Sequence, residues 1–112
     1  MTERVGIPRN TNEEFAWTAT QEYVPGEIVQ VMGRFGVVEG EANIAVGEEV
    51  NVAFNRQVDV LKEDPNTAHT FEDPVNYDTA LKRATAGAST FVPGRCSKES
   101  VAGELYVRVM LF

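Results

Sequence analysis

Apolar residues recur at every second position in one short run after another, which is the spacing of strands with one buried side. The clearest run is Gly47 to Lys62, GEEVNVAFNRQVDVLK, where Val50, Val52 and Phe54 alternate with Asn51, Ala53 and Asn55, and Val58 and Val60 alternate with Asp59 and Leu61. It predicts a β-hairpin. A two-residue loop at Asn55-Arg56 would set Val52 opposite Asp59. A three-residue loop of Asn55, Arg56 and Gln57 instead sets Phe54 opposite Val58 and Val52 opposite Val60, keeping one face apolar, and is the register expected.

The remaining pattern extends the same theme. Phe15 to Thr20 alternates aromatic with small residues and reads as a first strand, with Trp17 helping to close the core. Val24-Pro25-Gly26 is a type II turn signal, Pro presetting one central φ and Gly supplying the positive φ that follows. Glu27 to Met32 and Phe35 to Glu39 are two strand-like runs parted by Gly33-Arg34. Glu63 to Pro74 loses the alternation and reads as an excursion at one end of the sheet, with a short turn of helix or strand around His69 to Phe71. Val75 to Tyr77 and Ala80 to Ala84 are two further short strands about an Asp78-Thr79 turn, and a second Val-Pro-Gly at Val92 to Gly94 is expected to turn the chain into Arg95-Cys96.

The last run, Glu104 to Phe112, places Leu105, Val107, Val109 and Leu111 on one face and Tyr106, Arg108, Met110 and Phe112 on the other. Both faces are largely apolar, so the strand is either covered twice within its own fold or buried in a subunit contact. The terminal Phe112, with no polar tail after it, is expected to be held in place. About eight short strands with regular turn signals predict an all-β fold, a small antiparallel β-barrel or sandwich spanning residues 15–112. Met1 to Glu14 carries little apolar surface beyond Val5 and Ile7 to offset about 1–2 kcal/mol of backbone entropy per residue, and is expected to be a flexible N-terminal arm.

Composition narrows the function classes. The 112 residues make one domain with 43% hydrophobic residues, and a net charge of −7 disfavours contact with phosphate backbones, so nucleic acid is not an expected partner. No apolar run approaches a signal-peptide core or a membrane span, so no membrane association is expected and synthesis is placed in a reducing cytoplasm. A single cysteine, Cys96, excludes an internal disulfide. Catalysis needs a nucleophile with a base, paired carboxylates or metal ligands at workable spacing. His69, expected exposed in a polar loop, and Cys96, expected inert and half-buried in a strand, make a poor dyad, and Glu39, Glu41, Glu48 and Glu49 lack the Asp/Asn/Gly ladder of a calcium loop. The expectation is a non-enzyme with no cofactor and no metal.

Several stretches nevertheless look familiar together: Pro25-Gly26, Phe35 to Val38, Gly47 to Val52, Val58 to Lys62, Val75 to Asp78, Pro93 to Cys96 and Gly103 to Val109. In this order they resemble the small β-barrel family of tailed-bacteriophage capsid decoration, or cement, proteins. The chain departs from that pattern in its Asn55-Arg56-Gln57 loop, where such proteins often place Gly, in the long polar excursion, and in the arm before Phe15. What the resemblance implies is a homo-oligomer, trimer first and dimer second, bound to the outer capsid surface of a virion and clamping the phage major capsid protein. On that implication Val5, Ile7, Pro8 and Arg9 of the arm are the expected capsid contacts, and Tyr106, Arg108, Met110 and Phe112 the expected subunit interface. A tail or baseplate β-module and a small-molecule-binding barrel are the alternatives.

Overall fold

The computed structural model describes residues 14–87 and 89–112. Among these the chain forms nine strands and no helix, as the period of two demands: β1 Glu14–Thr18, β2 Ile28–Val31, β3 Arg34–Glu39, β4 Glu49–Ala53, β5 Gln57–Leu61, β6 Pro74–Asp78, β7 Arg83–Thr85, β8 Phe91–Lys98 and β9 Tyr106–Leu111. They make two antiparallel sheets, in the orders β1-β4-β3-β2 and β5-β9-β8-β6-β7. The expected arm residues 1–13 lie outside the described residues, and Glu14, assigned to the arm, is the first residue of β1 and faces Ala53 across the sheet.

The predicted hairpin is not formed. Val52 lies opposite Phe15 on one side and Val38 on the other, whereas Val58 and Val60 lie opposite Val109 and Val107 of the second sheet. Alternation is intact on both sides of the loop; only the partners differ. The reason is that an alternating run states which side chains point inward but not which strand lies alongside. Asn55, in the left-handed region at φ 54°, carries the chain from one sheet to the other, and the Arg56 Nη1 donates to the Phe54 carbonyl across that corner at 3.2 Å. Val50, Val52 and Phe54 therefore feed one core, shared with Val38, Ala19, Tyr23 and Ile44, while Val58 and Val60 feed another, shared with Val75, Tyr77, Cys96, Val107, Val109 and Leu111.

The first sheet is apolar on both sides. Phe35 and Val37 turn to the second sheet's core and Val38 to the first sheet's own. Trp17 is half-buried in the latter, edge-on to Tyr23 at 5.8 Å, so it does help to close a core. The two sheets are joined by an aromatic contact, Phe91 lying 5.0 Å from Phe35 while it stacks at 5.4 Å on Tyr77 of its own sheet, and by one buried hydrogen bond in which the Ile28 N–H donates to the Tyr77 hydroxyl at 3.1 Å. Burial of that phenol raises its pKa.

The two Val-Pro-Gly tripeptides behave differently, and the fourth residue marks the difference. In Val24-Pro25-Gly26-Glu27 a carboxylate oxygen of Glu27 accepts the Val24 N–H at 2.7 Å, closing a turn whose glycine has φ 90°. Ala45-Val46-Gly47-Glu48 and Val101-Ala102-Gly103-Glu104 repeat the device, each glutamate accepting the N–H three residues back. Val92-Pro93-Gly94-Arg95 has no such acid and runs straight through β8, correcting the expected turn. Its Pro, which cannot donate to the ladder, sits where the pairing of β6 with β8 shifts register between Val75 and Tyr77.

Two smaller expectations are also corrected. The turn after β6 runs on from Asp78, whose carboxylate accepts the Ala80 and Leu81 N–H groups, and delays β7 to Arg83. Leu105, expected on the buried face of the last strand, precedes that strand and is 55% exposed. The excursion after Lys62 is tied back by one antiparallel bridge from His69 to Ser100.

At Gly94 a Cβ would collide with the Met110 carbonyl and a Val109 methyl, so β8 and β9 approach closely only because that residue has no side chain. Gly94→Ala is expected to cost about 3 kcal/mol or more through forced separation of the two strands. Urea denaturation checks this; an unchanged midpoint would contradict the close approach.

Candidate functional site

The outer face of β9 is built by the same alternation that fills the core. Val107, Val109 and Leu111 point inward and are buried, which leaves Tyr106, Arg108, Met110 and Phe112 outward, with Tyr106, Met110 and Phe112 at 52%, 43% and 54% exposure. β9 is the second strand of its sheet, so register brings neighbours from both sides onto this face: Gln57 beside Met110, Asp59 beside Arg108 and Leu61 beside Tyr106 from β5, and Arg95 beside Met110 from β8. All four residues expected at an interface thus share one surface, and that surface stands open in the single chain. The four arm residues Val5, Ile7, Pro8 and Arg9 lie outside the described residues.

Electrostatics in the middle of the face are settled locally. Arg108 grips Asp59 in a two-pronged pair, Nε to Oδ1 at 2.9 Å and Nη2 to Oδ2 at 3.3 Å. The hydrogen bond from that guanidinium, with its charge and that of Lys98 adding, holds the Asp59 carboxyl below its ordinary range. Arg95 is steered by donation to the Glu72 carbonyl at 3.1 Å and lies 5.9 Å over the Phe112 ring. Ser97 donates to the Gln57 side chain at 2.9 Å.

Where Tyr106 and Leu61 reach the rim, the face runs into a groove of about 350 Å³. Its apolar lining comes from Val24 and Pro25 of the turn before β2, Leu61, Leu81 and Tyr106. Lys82 and Arg83 also line it, and Lys82 pairs with Glu27 at 3.8 Å.

The side chains weighed for chemistry serve the fold instead. Cys96, expected half-buried, is fully buried, its thiol donates to the Lys98 carbonyl at 3.0 Å, and burial pushes its pKa up, away from the reactive thiolate. Glu48 closes a turn, and among the described residues no three His, Cys, Asp or Glu side chains gather as a metal site. His69, expected exposed, is half-buried, and its pKa is lowered first by burial and then by the charge of Lys62.

Lys62 is the residue that pattern reasoning passed over. It is 2% exposed, and its ammonium donates to the Thr67 carbonyl at 2.7 Å, the Ser100 hydroxyl at 3.1 Å and the Val101 carbonyl at 3.3 Å. Ser100 in turn donates to the Tyr106 carbonyl at 2.8 Å, linking this buried charge to the start of the exposed face. The signal was present: Val58, Val60 and Lys62 share one parity, so the lysine follows the valines inward.

With this geometry in view, no family model matches the chain and no curated protein matches it significantly.

Lys62→Met keeps the volume but strips three acceptors of their donor, and is expected to lower stability by roughly 2–5 kcal/mol. Because the folded-state pKa of His69 lies below its ordinary 6.5, the stability this residue contributes is complete above that pH and is lost as pH falls through the lower folded value. His69 is the sole histidine, so an NMR titration reads it directly. A midpoint below 6.5 that moves upward in Lys62→Met is expected; a wild-type midpoint at or above 6.5 would contradict the packing of the excursion.

Proposed function

We propose that this protein is a non-enzymatic structural component of a tailed-phage head, made in the host cytoplasm and attached to the outer surface of the capsid. There it bridges neighbouring major capsid subunits as a cyclic homo-oligomer, a trimer before a dimer. The observation that carries the reading is the outward row Tyr106, Arg108, Met110 and Phe112 on a strand whose other side is core. Aromatic and methionine side chains around an arginine are the composition enriched at the centres of protein interfaces, and a strand flanked on both sides presents them without loop motion. The resemblance described above supplies the partner class.

The energetic logic is linkage. A protein that binds the assembled shell and not its free subunits stabilises the shell by the difference in affinity, and attachment through several copies multiplies the effect. Val5, Ile7, Pro8 and Arg9 are the proposed shell contacts, while the β9 face is the proposed contact between sister copies.

Purified protein mixed with heads that lack it is expected to sediment with them, to raise the temperature at which they break, and to leave dissociated capsid subunits unbound. Equal binding to free subunits, or binding to neither, removes the reading. Free protein is expected to sediment above monomer mass at micromolar concentration. Met110→Lys and Phe112→Lys should shift it toward monomer by about tenfold or more in association constant.

A further inference from the structure

Strand β2 carries an exposed apolar feature at each of its ends. Its far end is the β2–β3 hairpin, closed by Met32 and Gly33 between the paired residues Val31 and Arg34. Both loop residues have positive φ, 53° and 80°, the geometry of a type I′ turn, for which Asn-Gly is the favoured pair. Methionine is a poor choice there on two counts. Its backbone sits in the left-handed region that side chains without a local hydrogen bond disfavour, and its side chain is 83% exposed, serving neither the turn nor a core. The tip is also stiffened at its base, since the Arg34 guanidinium lies 4.2 Å over the Phe54 ring.

The near end of β2 is the groove lined by Val24, Pro25, Leu61, Leu81 and Tyr106. Met32 lies five positions beyond Glu27, roughly 16 Å at strand rise, so the chain cannot fold its own tip into its own groove. Two acids at the rim are neutralised in place, Glu27 by Lys82 and Asp59 by Arg108, and the further charge of the lining, Arg83, is exposed to solvent, so the apolar side chains of the groove are what it offers a guest. Val31-Met32-Gly33 is uncharged and apolar. The groove is also continuous with the β9 face through Tyr106 and Leu61.

We propose that the Met32 tip of one copy seats in the Tyr106 groove of the next. This rests on the self-association reading above and deepens it. Because knob and socket are different surfaces of the chain, the contact is head-to-tail, and such contacts close into rings when the rotation permits. The arrangement accounts for a closed ring, of which a trimer is one, in preference to a two-fold dimer.

Sedimentation of the full chain, with thermal melting alongside, tests it. Met32→Asn places the favoured residue in the turn, so its melting temperature is expected to equal or exceed that of wild type while association weakens about tenfold or more. Leu81→Glu, at an exposed groove position, is expected to weaken association likewise. An equimolar mixture of Met32→Cys and Leu81→Cys chains should form a disulfide between two chains on oxidation, because native Cys96 is buried. A wild-type protein that stays monomeric overturns both readings. A wild-type oligomer that dissociates with Met110→Lys or Phe112→Lys, yet is untouched by Met32→Asn and Leu81→Glu and gives no cross-link, overturns this inference alone.

Discussion

The buried ammonium of Lys62 is the point on which the second half of the molecule depends. Its backbone N–H donates to the Leu105 carbonyl at 2.8 Å, and a parallel bridge to Ala84 joins the edge beyond β5 to the edge at β7, so the five-stranded sheet curls until its two margins touch. Its side chain pins two loops, 63–73 and 99–105, that bury little apolar surface of their own, Phe71, Val101 and Leu105 all being exposed. A lysine buried among carbonyls is tolerable only when its donors are met, and here three acceptors surround it. The charge is thus exchanged for order in loops that hydrophobic burial alone would leave loose.

That same network fixes the frame of the exposed face. Ser100 passes the restraint from Lys62 to the Tyr106 carbonyl, and the Phe112 N–H donates to the Pro93 carbonyl at 2.9 Å, so β9 is held at both ends. Between them its inward residues lie in the core. The outward side chains differ accordingly from surface apolar residues on a loop, which withdraw by local motion; these have nowhere to go.

Much of this was legible in the sequence, and what was not has identifiable causes. Alternation assigned the inward side correctly for Val50, Val52 and Phe54, for Val58 and Val60, and for Val107, Val109 and Leu111, because parity is a local property. Partner choice is not local: Val52 and Val60 would have matched each other as well as they match Val38 and Val107. The second Val-Pro-Gly misled because Pro and Gly were weighed without the residue after them, where Glu closes a turn and Arg does not. Lys62 was overlooked because its charge outweighed its parity. The outward set on β9 followed from sequence; the groove did not, since it assembles turns far apart along the chain.

The change of sheet at Asn55 has a consequence in time as well as space. All strands of the first sheet precede that residue and all strands of the second follow it. As the chain emerges during synthesis, the first sheet can pair once β4 is available, whereas β5 must wait for β9, its partner some fifty residues on by the Val58 to Val109 pairing. Such long-range pairing slows folding and leaves strand edges bare in the interval. Val58 and Val60 are the side chains exposed while they wait, so the most aggregation-prone moment in the life of this protein falls between the completion of its two halves.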